Sequence, residues 1–175
     1  MDTTNDDEAT RQMIDENGWL HTGDVGRFTD GYLQITDRIK HMIVNAGGKN
    51  IYPGPIEDLF KTSKWIDQLV VVGERQAFMA ALIVPDFEIL EAWARQENLG
   101  YQSLEQLLAK DKVQNIYKKE LRSYSRQLAS HEKIRAFQLL AREFTVETGE
   151  LTPTLKVKRR VIEDKYGDLI SEMFE

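Results

Sequence analysis

Three short stretches carry residue types that could do chemistry. Thr22-Gly23-Asp24 puts a carboxylate in a glycine turn. Such a carboxylate can accept hydrogen bonds from sugar hydroxyls while the glycine lets a ligand approach. A turn-stabilising Asx motif explains the same residues, and taken alone it is the better account. The second stretch is Asp37–Glu57, DRIKHMIVNAGGKNIYPGPIE. Its Arg38 can fork onto a phosphate or a ribose, and its Gly47-Gly48 pair can wall a narrow ligand channel. A linker with a solvated charge pair accounts for it equally well. The third is Leu151–Arg160, LTPTLKVKRR, where Lys156 sits in a Gly- and Pro-containing loop ahead of a helix. From there an ammonium group can reach an anion bound elsewhere and neutralise developing charge. By composition alone, a solvated basic surface run is the simpler reading.

Other chemistries find less support. Gly48-Lys49 lacks the upstream glycine and the following Ser or Thr of a phosphate-binding loop. His21, His41 and His131 are scattered and show no metal-ligand spacing, so no metal site is expected. The chain has no Cys, which removes thiol nucleophiles, disulfides and zinc-thiolate sites and fits a reducing, cytoplasmic compartment. No Gly-x-Ser-x-Gly elbow is present. Trp19, Trp65 and Trp93 read as core or interface residues rather than a stacking platform. The net charge of −6 opposes nucleic-acid binding, for which KVKRR is the single point in favour. No apolar run approaches the roughly 20 residues of a membrane helix, and the acidic start MDTTNDDEATRQ is not a secretory signal.

The elements that must position these residues follow from pattern. With 175 residues, 41% hydrophobic and 30% charged, the chain has material for one core, or one domain plus a piece of another. Glu8–Glu16 reads as a short helix. Val25–Thr29 and Tyr32–Thr36 flank Asp30-Gly31, a two-residue hairpin signal. The MIV run is a candidate buried strand, and Pro55 suits the first turn of a helix carrying Ile56, Leu59 and Phe60. Leu69–Val72 and Met79–Val84 do not alternate strictly, as expected of paired strands covered on both faces. Helices are expected from Phe87, after the capping box Ser103–Gln106, and from Lys112 to about Ala129. Ile134–Ala141 returns to strand, Glu147–Lys158 is a loop, and Arg159–Glu175 is a helix interrupted near Gly167. The expected fold class is α+β: a small central sheet of about three strands with helices on both sides, preceded by a β-hairpin.

Taken together and in order, the motifs resemble the adenylate-forming enzymes: acyl-CoA synthetases, luciferases and peptide-synthetase adenylation domains. GWLHTGD with GYLQITDR resembles the ribose-binding Asp and the approach to the hinge. DRIKHMIVNAGGKNIYPGPIE resembles the hinge and glycine motif. LTPTLKVKR resembles the catalytic-lysine loop in its long-chain fatty acyl-CoA synthetase form. Many relatives carry Ser-Gly before that lysine, where this chain has Thr154-Leu155, a departure that points to the long-chain branch. The resemblance implies that residues 1–37 end a large N-terminal AMP-binding domain and that residues 38–175 form the C-terminal lid.

By the same resemblance, Asp24 would hold the ribose hydroxyls of ATP and AMP, and Arg38 would contact that ribose or the phosphates. Lys40 would be the hinge residue. Gly47 and Gly48 would line the tunnel for the pantetheine arm of CoA, and Lys156 would reach the α-phosphate and carboxylate during adenylation. The phosphate loop, the acyl pocket and the Mg2+-binding Glu would belong to the missing N-terminal adenylation domain. The implied reaction joins fatty acid, ATP and CoA into acyl-CoA, AMP and diphosphate, with the isolated chain inactive. The full enzyme could associate peripherally with membranes. A hairpin lacking its parent sheet is free to pair with another copy, giving a dimer that reflects truncation. The alternative is a free-standing, non-catalytic lid-like module that binds a partner protein or nucleotide.

Overall fold

Asp30 and Gly31 both hold positive φ, 51° and 83°, as a tight two-residue hairpin turn requires. They join β1 (Asp24–Thr29) to β2 (Tyr32–Arg38) in an antiparallel pair running from Thr29↔Tyr32 to Asp24↔Arg38. The computed structural model describes residues 13–175. They divide into two units, the first ending at Met42 and the second spanning Ile43–Glu175. The first unit extends past Arg38 because the single 3₁₀ turn Ile39–His41 is tied back to the hairpin, Ile39 N donating to Gly23 O at 2.8 Å.

Most of the helix expected over Glu8–Glu16 lies outside the described residues; Met13 is helical, but the chain leaves the helix at Ile14. Ile14 pairs antiparallel with Leu20. Asp15 closes the intervening bend by accepting from the backbone N–H of Asn17 and of Trp19. The local carboxylate–amide bonds outcompete helix propensity there.

The first unit has little core of its own. Phe28 and Tyr32 are 78% and 81% exposed, and Leu33 and Ile35 lie open on one face of β2 above Gly26. A lone two-stranded hairpin is marginal in water. Backbone amides of β1 and β2 are therefore expected to exchange with solvent at least about 100-fold faster than those of the central sheet, measured by hydrogen exchange on the whole chain. Equal protection would contradict this picture.

The second unit is built on a three-stranded sheet in the order β5-β6-β7, with β5 (Ile66–Val72) antiparallel to β6 (Met79–Pro85) and β6 parallel to β7 (Ile134–Leu139). The apolar runs fail to alternate because both faces are covered. Leu69, Val71, Ala81 and Ile83 face one core with Ile56, Phe60, Leu90, Val113 and Tyr117. Val70, Val72, Leu82 and Val84 face a second core with Phe144, Leu151, Ile162 and Tyr166. The first core is closed by α1 (Pro53–Phe60), α2 (Phe87–Gln96), α3 (Leu104–Leu108) and α4 (Asp111–Tyr124), the second by α5 (Arg159–Lys165) and α6 (Gly167–Glu172).

Local signals set the helix ends. Both Pro53 and Pro55 sit in the first turn of α1, Asp86 caps α2 by accepting from Ile89 N, and Ser103 caps α3 by accepting from Gln106 N. α4 stops sooner than the pattern suggests. It tightens into a 3₁₀ turn at Ser125–Gln127, and Leu128 goes extended so that its side chain packs on the first core. Tyr117 holds α4 to the sheet by donating from its hydroxyl to Trp65 O at 3.1 Å.

Candidate functional site

The glycine stretch folds as a miniature hairpin. β3 (Ile43–Val44) pairs with β4 (Asn50–Ile51), and Ile43 and Ile51 anchor it in the first core. Asn45 organises the tip: its backbone N–H donates to Lys49 O, its carbonyl accepts from Gly48 N, and its side chain accepts from Lys49 N at 2.9 Å. Gly48 holds φ +69°, and a Cβ there would meet nothing within 4 Å. Backbone conformation, not crowding, asks for glycine. Gly47 and Gly48 form one exposed turn, and a Cβ on Gly47 would meet only the Asn45 side-chain oxygen, at 3.4 Å. The turn is fixed from outside by Ala46 N donating to Gln76 O and by Arg75 N donating to Val44 O.

Lys156 lies on a second small hairpin. Leu151 bridges Val157, Thr152 N donates to Lys156 O at 2.8 Å, and Lys156 N donates to Thr152 Oγ1 at 3.0 Å. The lysine side chain is exposed. Leu155 adopts φ 58° and is 71% exposed. A leucine in the left-handed region costs about 1–2 kcal/mol, so the loop keeps the glycine-type bend at a price in strain. Leu155 N donating to Thr152 O at 2.8 Å closes that bend.

Both ends of this loop are braced by buried carboxylates. At its start, Glu150 is fully buried and meets Lys165 Nζ at 3.1 Å and Arg142 at 3.3 Å, with Thr148 donating its hydroxyl to it. Burial pushes the Glu150 carboxyl up, but the Thr148 hydroxyl and Lys165 overcome it and hold the group at about 2. At its end, Arg159 opens α5 and reaches inward. It donates to Val71 O at 2.8 Å and to Glu57 Oε1, which also accepts from Val71 N at 2.9 Å. Glu57 belongs to α1, the helix that follows the glycine hairpin. The Arg159–Glu57 pair thus ties the lysine loop and the helix behind the glycine turn to the same strand, β5.

The folded pKa of Glu150 lies below that of an unfolded glutamate, so its ionisation stabilises the fold above the ordinary carboxylate range. That contribution is lost as pH falls toward about 2. Glu150→Gln is expected to cost about 3 kcal/mol near neutral pH. The gap to the parent chain should close as urea melts are taken from pH 5 down to pH 2, and a gap independent of pH would refute the assignment.

In the first unit, Asp24 and Arg38 stand opposite each other at the open end of the hairpin, Arg38 Nε 3.1 Å from Asp24 Oδ1. Asp24 N donates to Thr22 Oγ1 at 3.2 Å, and Gly23 takes φ +72°. Lys40 lies in the turn Ile39–His41, close to the division after Met42.

The structure therefore brings Asp24 to Arg38 and Gly47 to Gly48, and sets Lys156 on a loop of its own. It also adds residues that the sequence reading missed. Arg159 read as part of a solvated basic run, yet its side chain is only 17% exposed. Glu57 and Glu150 carried no local signal beyond being acids beside apolar residues. Among the described residues, no group of three or more His, Cys, Asp or Glu side chains is arranged to hold a metal ion. No helix described is long and apolar enough to cross a membrane.

One small sheet domain thus carries two separate loops, one presenting an exposed glycine turn and one a braced lysine. The chain belongs to the AMP-binding enzyme C-terminal domain family, whose model matches residues 40–175. Among curated proteins it is 37% identical over 170 residues to the long-chain-fatty-acid–CoA ligase FadD15 of Mycobacterium tuberculosis, covering 96% of this chain and 28% of that protein. It is 36% identical over 174 residues to long-chain-fatty-acid–CoA ligase 1 of Cavia porcellus, covering 97% and 25%. The chain thus spans about a quarter of the length of these relatives.

Among solved structures, the adenylation domain of a carboxylate reductase from Mycobacterium chelonae matches with a TM-score of 0.77 at 25% identity, covering 95% of this chain and 25% of that one. A fatty acyl CoA synthetase of Mycobacterium tuberculosis matches with a TM-score of 0.53 at 26% identity, covering 93% and 27%. The mixed sheet with helices on both faces, preceded by a hairpin, is the fold expected from the sequence.

Proposed function

We propose that the chain is the C-terminal lid of an ATP-dependent long-chain fatty acyl-CoA ligase, acting with an N-terminal adenylation domain that carries the phosphate loop and the acyl pocket. The observation that carries this reading is the exposed Lys156 on a loop braced at both ends, within a chain similar along nearly its whole length to long-chain ligases. A carboxylate and a triphosphate repel each other. A cation brought up on closure lowers that repulsion as charge develops in the adenylation transition state. Lys156 supplies it toward the α-phosphate and the carboxylate.

Asp24 and Arg38 take the ribose and phosphates of ATP and AMP. The second half-reaction needs thiol access to the acyl-adenylate, so the lysine must leave. Rotation about Lys40 replaces it with the Gly47-Gly48 turn, which leaves room for the pantetheine arm of CoA. The position of Lys40 beside the division between units supports the hinge role. The exposed turn at Gly48 supports the tunnel role. The described residues do not fit a magnesium site, and this reading assigns the ion to the other domain.

The test is an assay of the purified 175-residue chain with fatty acid, ATP and CoA. No acyl-CoA is expected from the chain alone, with activity when an adenylation domain is supplied. Turnover by the chain alone would overturn the lid reading. A gene in which no adenylation domain lies in frame or nearby would favour a free-standing binding module.

A further inference from the structure

β7 is an edge of the sheet, bonded to β6 on one side and to no strand on the other among the described residues. Its outer side borders a groove of about 830 Å³. Lys133 through Gln138 line that groove consecutively. Alternate residues would line it if one face of the strand formed the wall, so a consecutive run means that the backbone edge itself faces the opening. α4 and the C-terminal helix supply the other walls, with Leu121, Leu169 and Met173 as apolar surface.

The rim is strongly one-signed. Lys118 and Arg122 on α4, Arg126 in the following turn, Lys133 just before β7 and Arg135 near its start all border the groove, against the single carboxylate of Glu172. Among the described residues none of these five cations takes part in an ion pair. They cluster on a chain whose net charge is −6. Neither the lysine loop nor the glycine turn contributes to the groove.

We infer that this groove is a docking site for an extended acidic segment of a partner protein, added to β7 as a fourth strand. Main-chain hydrogen bonds to an open edge provide sequence-tolerant affinity, and pockets for alternate side chains provide specificity. Acidic side chains of the segment meet the unpaired cations, and its apolar residues settle on Leu121, Phe137, Leu169 and Met173. The six residues of β7 extend about 20 Å, room for a segment of similar length. A flat anionic bilayer would touch the rim but not the recessed backbone edge.

The probe is a capped peptide of alternating Glu and Val, seven residues long, titrated into the full 175-residue chain by calorimetry and by amide chemical shifts. Binding tighter than about 1 mM is expected, with the largest shifts at residues 133–138. Charge reversal at Arg122 and Arg126 together should weaken it at least about tenfold, as should N-methylation of alternate peptide amides. Circular dichroism of the charge-reversed chain controls for folding, and the methylated peptide needs no change to the protein. Equal binding of the methylated peptide would overturn strand addition. Equal binding of a Lys-Val peptide would overturn the electrostatic basis. Binding of dodecyl phosphate or phosphatidylglycerol vesicles but not of the Glu-Val peptide would replace the partner by a lipid and overturn the proposal, and so would no binding at all.

Discussion

On the proposed lid function, Lys156→Ala made in the full-length protein should slow acyl-adenylate formation by about 10²–10³-fold and leave thioester formation from a supplied acyl-adenylate close to its original rate. The asymmetry matters more than the size. A cation that acts only while a carboxylate attacks a phosphate is needed in one half-reaction and must be absent from the other. The exposed side chain forms no ion pair among the described residues, and its backbone is held at both donor and acceptor by Thr152. Truncation should therefore remove charge without disturbing the loop. Single-turnover measurements of each half-reaction decide the matter. Equal losses in both would show that the residue supports the domain rather than one chemical step.

Arg159→Ala is expected to be the most damaging change to stability, about 3–5 kcal/mol, because it strands Glu57 in the interior without its partner. Burial already pushes the Glu57 carboxyl up, with Arg159 and the Val71 N–H opposing the rise. Removing Arg159 removes the larger opposing influence. A carboxyl whose folded pKa exceeds its unfolded value favours the folded state when protonated and penalises it when ionised. The deficit of the variant should therefore be smallest below about pH 4 and grow as pH rises through the carboxylate range and beyond. The double change Glu57→Leu with Arg159→Met should recover most of the loss, since an apolar pair needs no desolvated charge. Denaturant melts across pH measure both effects. A deficit that is the same at pH 4 and pH 8 would rule out Glu57 as the cause.

What could be read from the sequence was local, and what could not was distant. Asp30-Gly31 announced its hairpin because the turn's positive φ values select those residues wherever they occur. Ser103 announced a helix start because a cap and its target are three residues apart. The doubly covered strands showed themselves in unbroken apolar runs. Arg159 did not, because its partner Glu57 is 102 residues away, and a run of Lys and Arg looks the same whether one member turns inward or all stay wet. Leu155 gave no hint of a left-handed backbone, since leucine prefers other conformations and only the closed Thr152–Lys156 turn imposes this one. The helix expected to run to Glu16 stops at Met13 because Asp15 binds the backbone amides of Asn17 and Trp19. The candidate residues were legible as motifs, but nothing in their spacing revealed the two buried carboxylates behind them.

The double bracing of the Lys156 loop bears on speed as well as stability. A side chain delivered by a loose loop must be ordered anew each time the active site assembles, and about 1–2 kcal/mol of backbone entropy is lost for every residue so fixed. Here Glu150 and Arg159 fasten the segment to helices and strand, so that ordering happens once, when the chain folds. In a domain that turns as proposed, the backbone of Lys156 travels with the braced loop, and only its exposed side chain is left to be ordered on arrival.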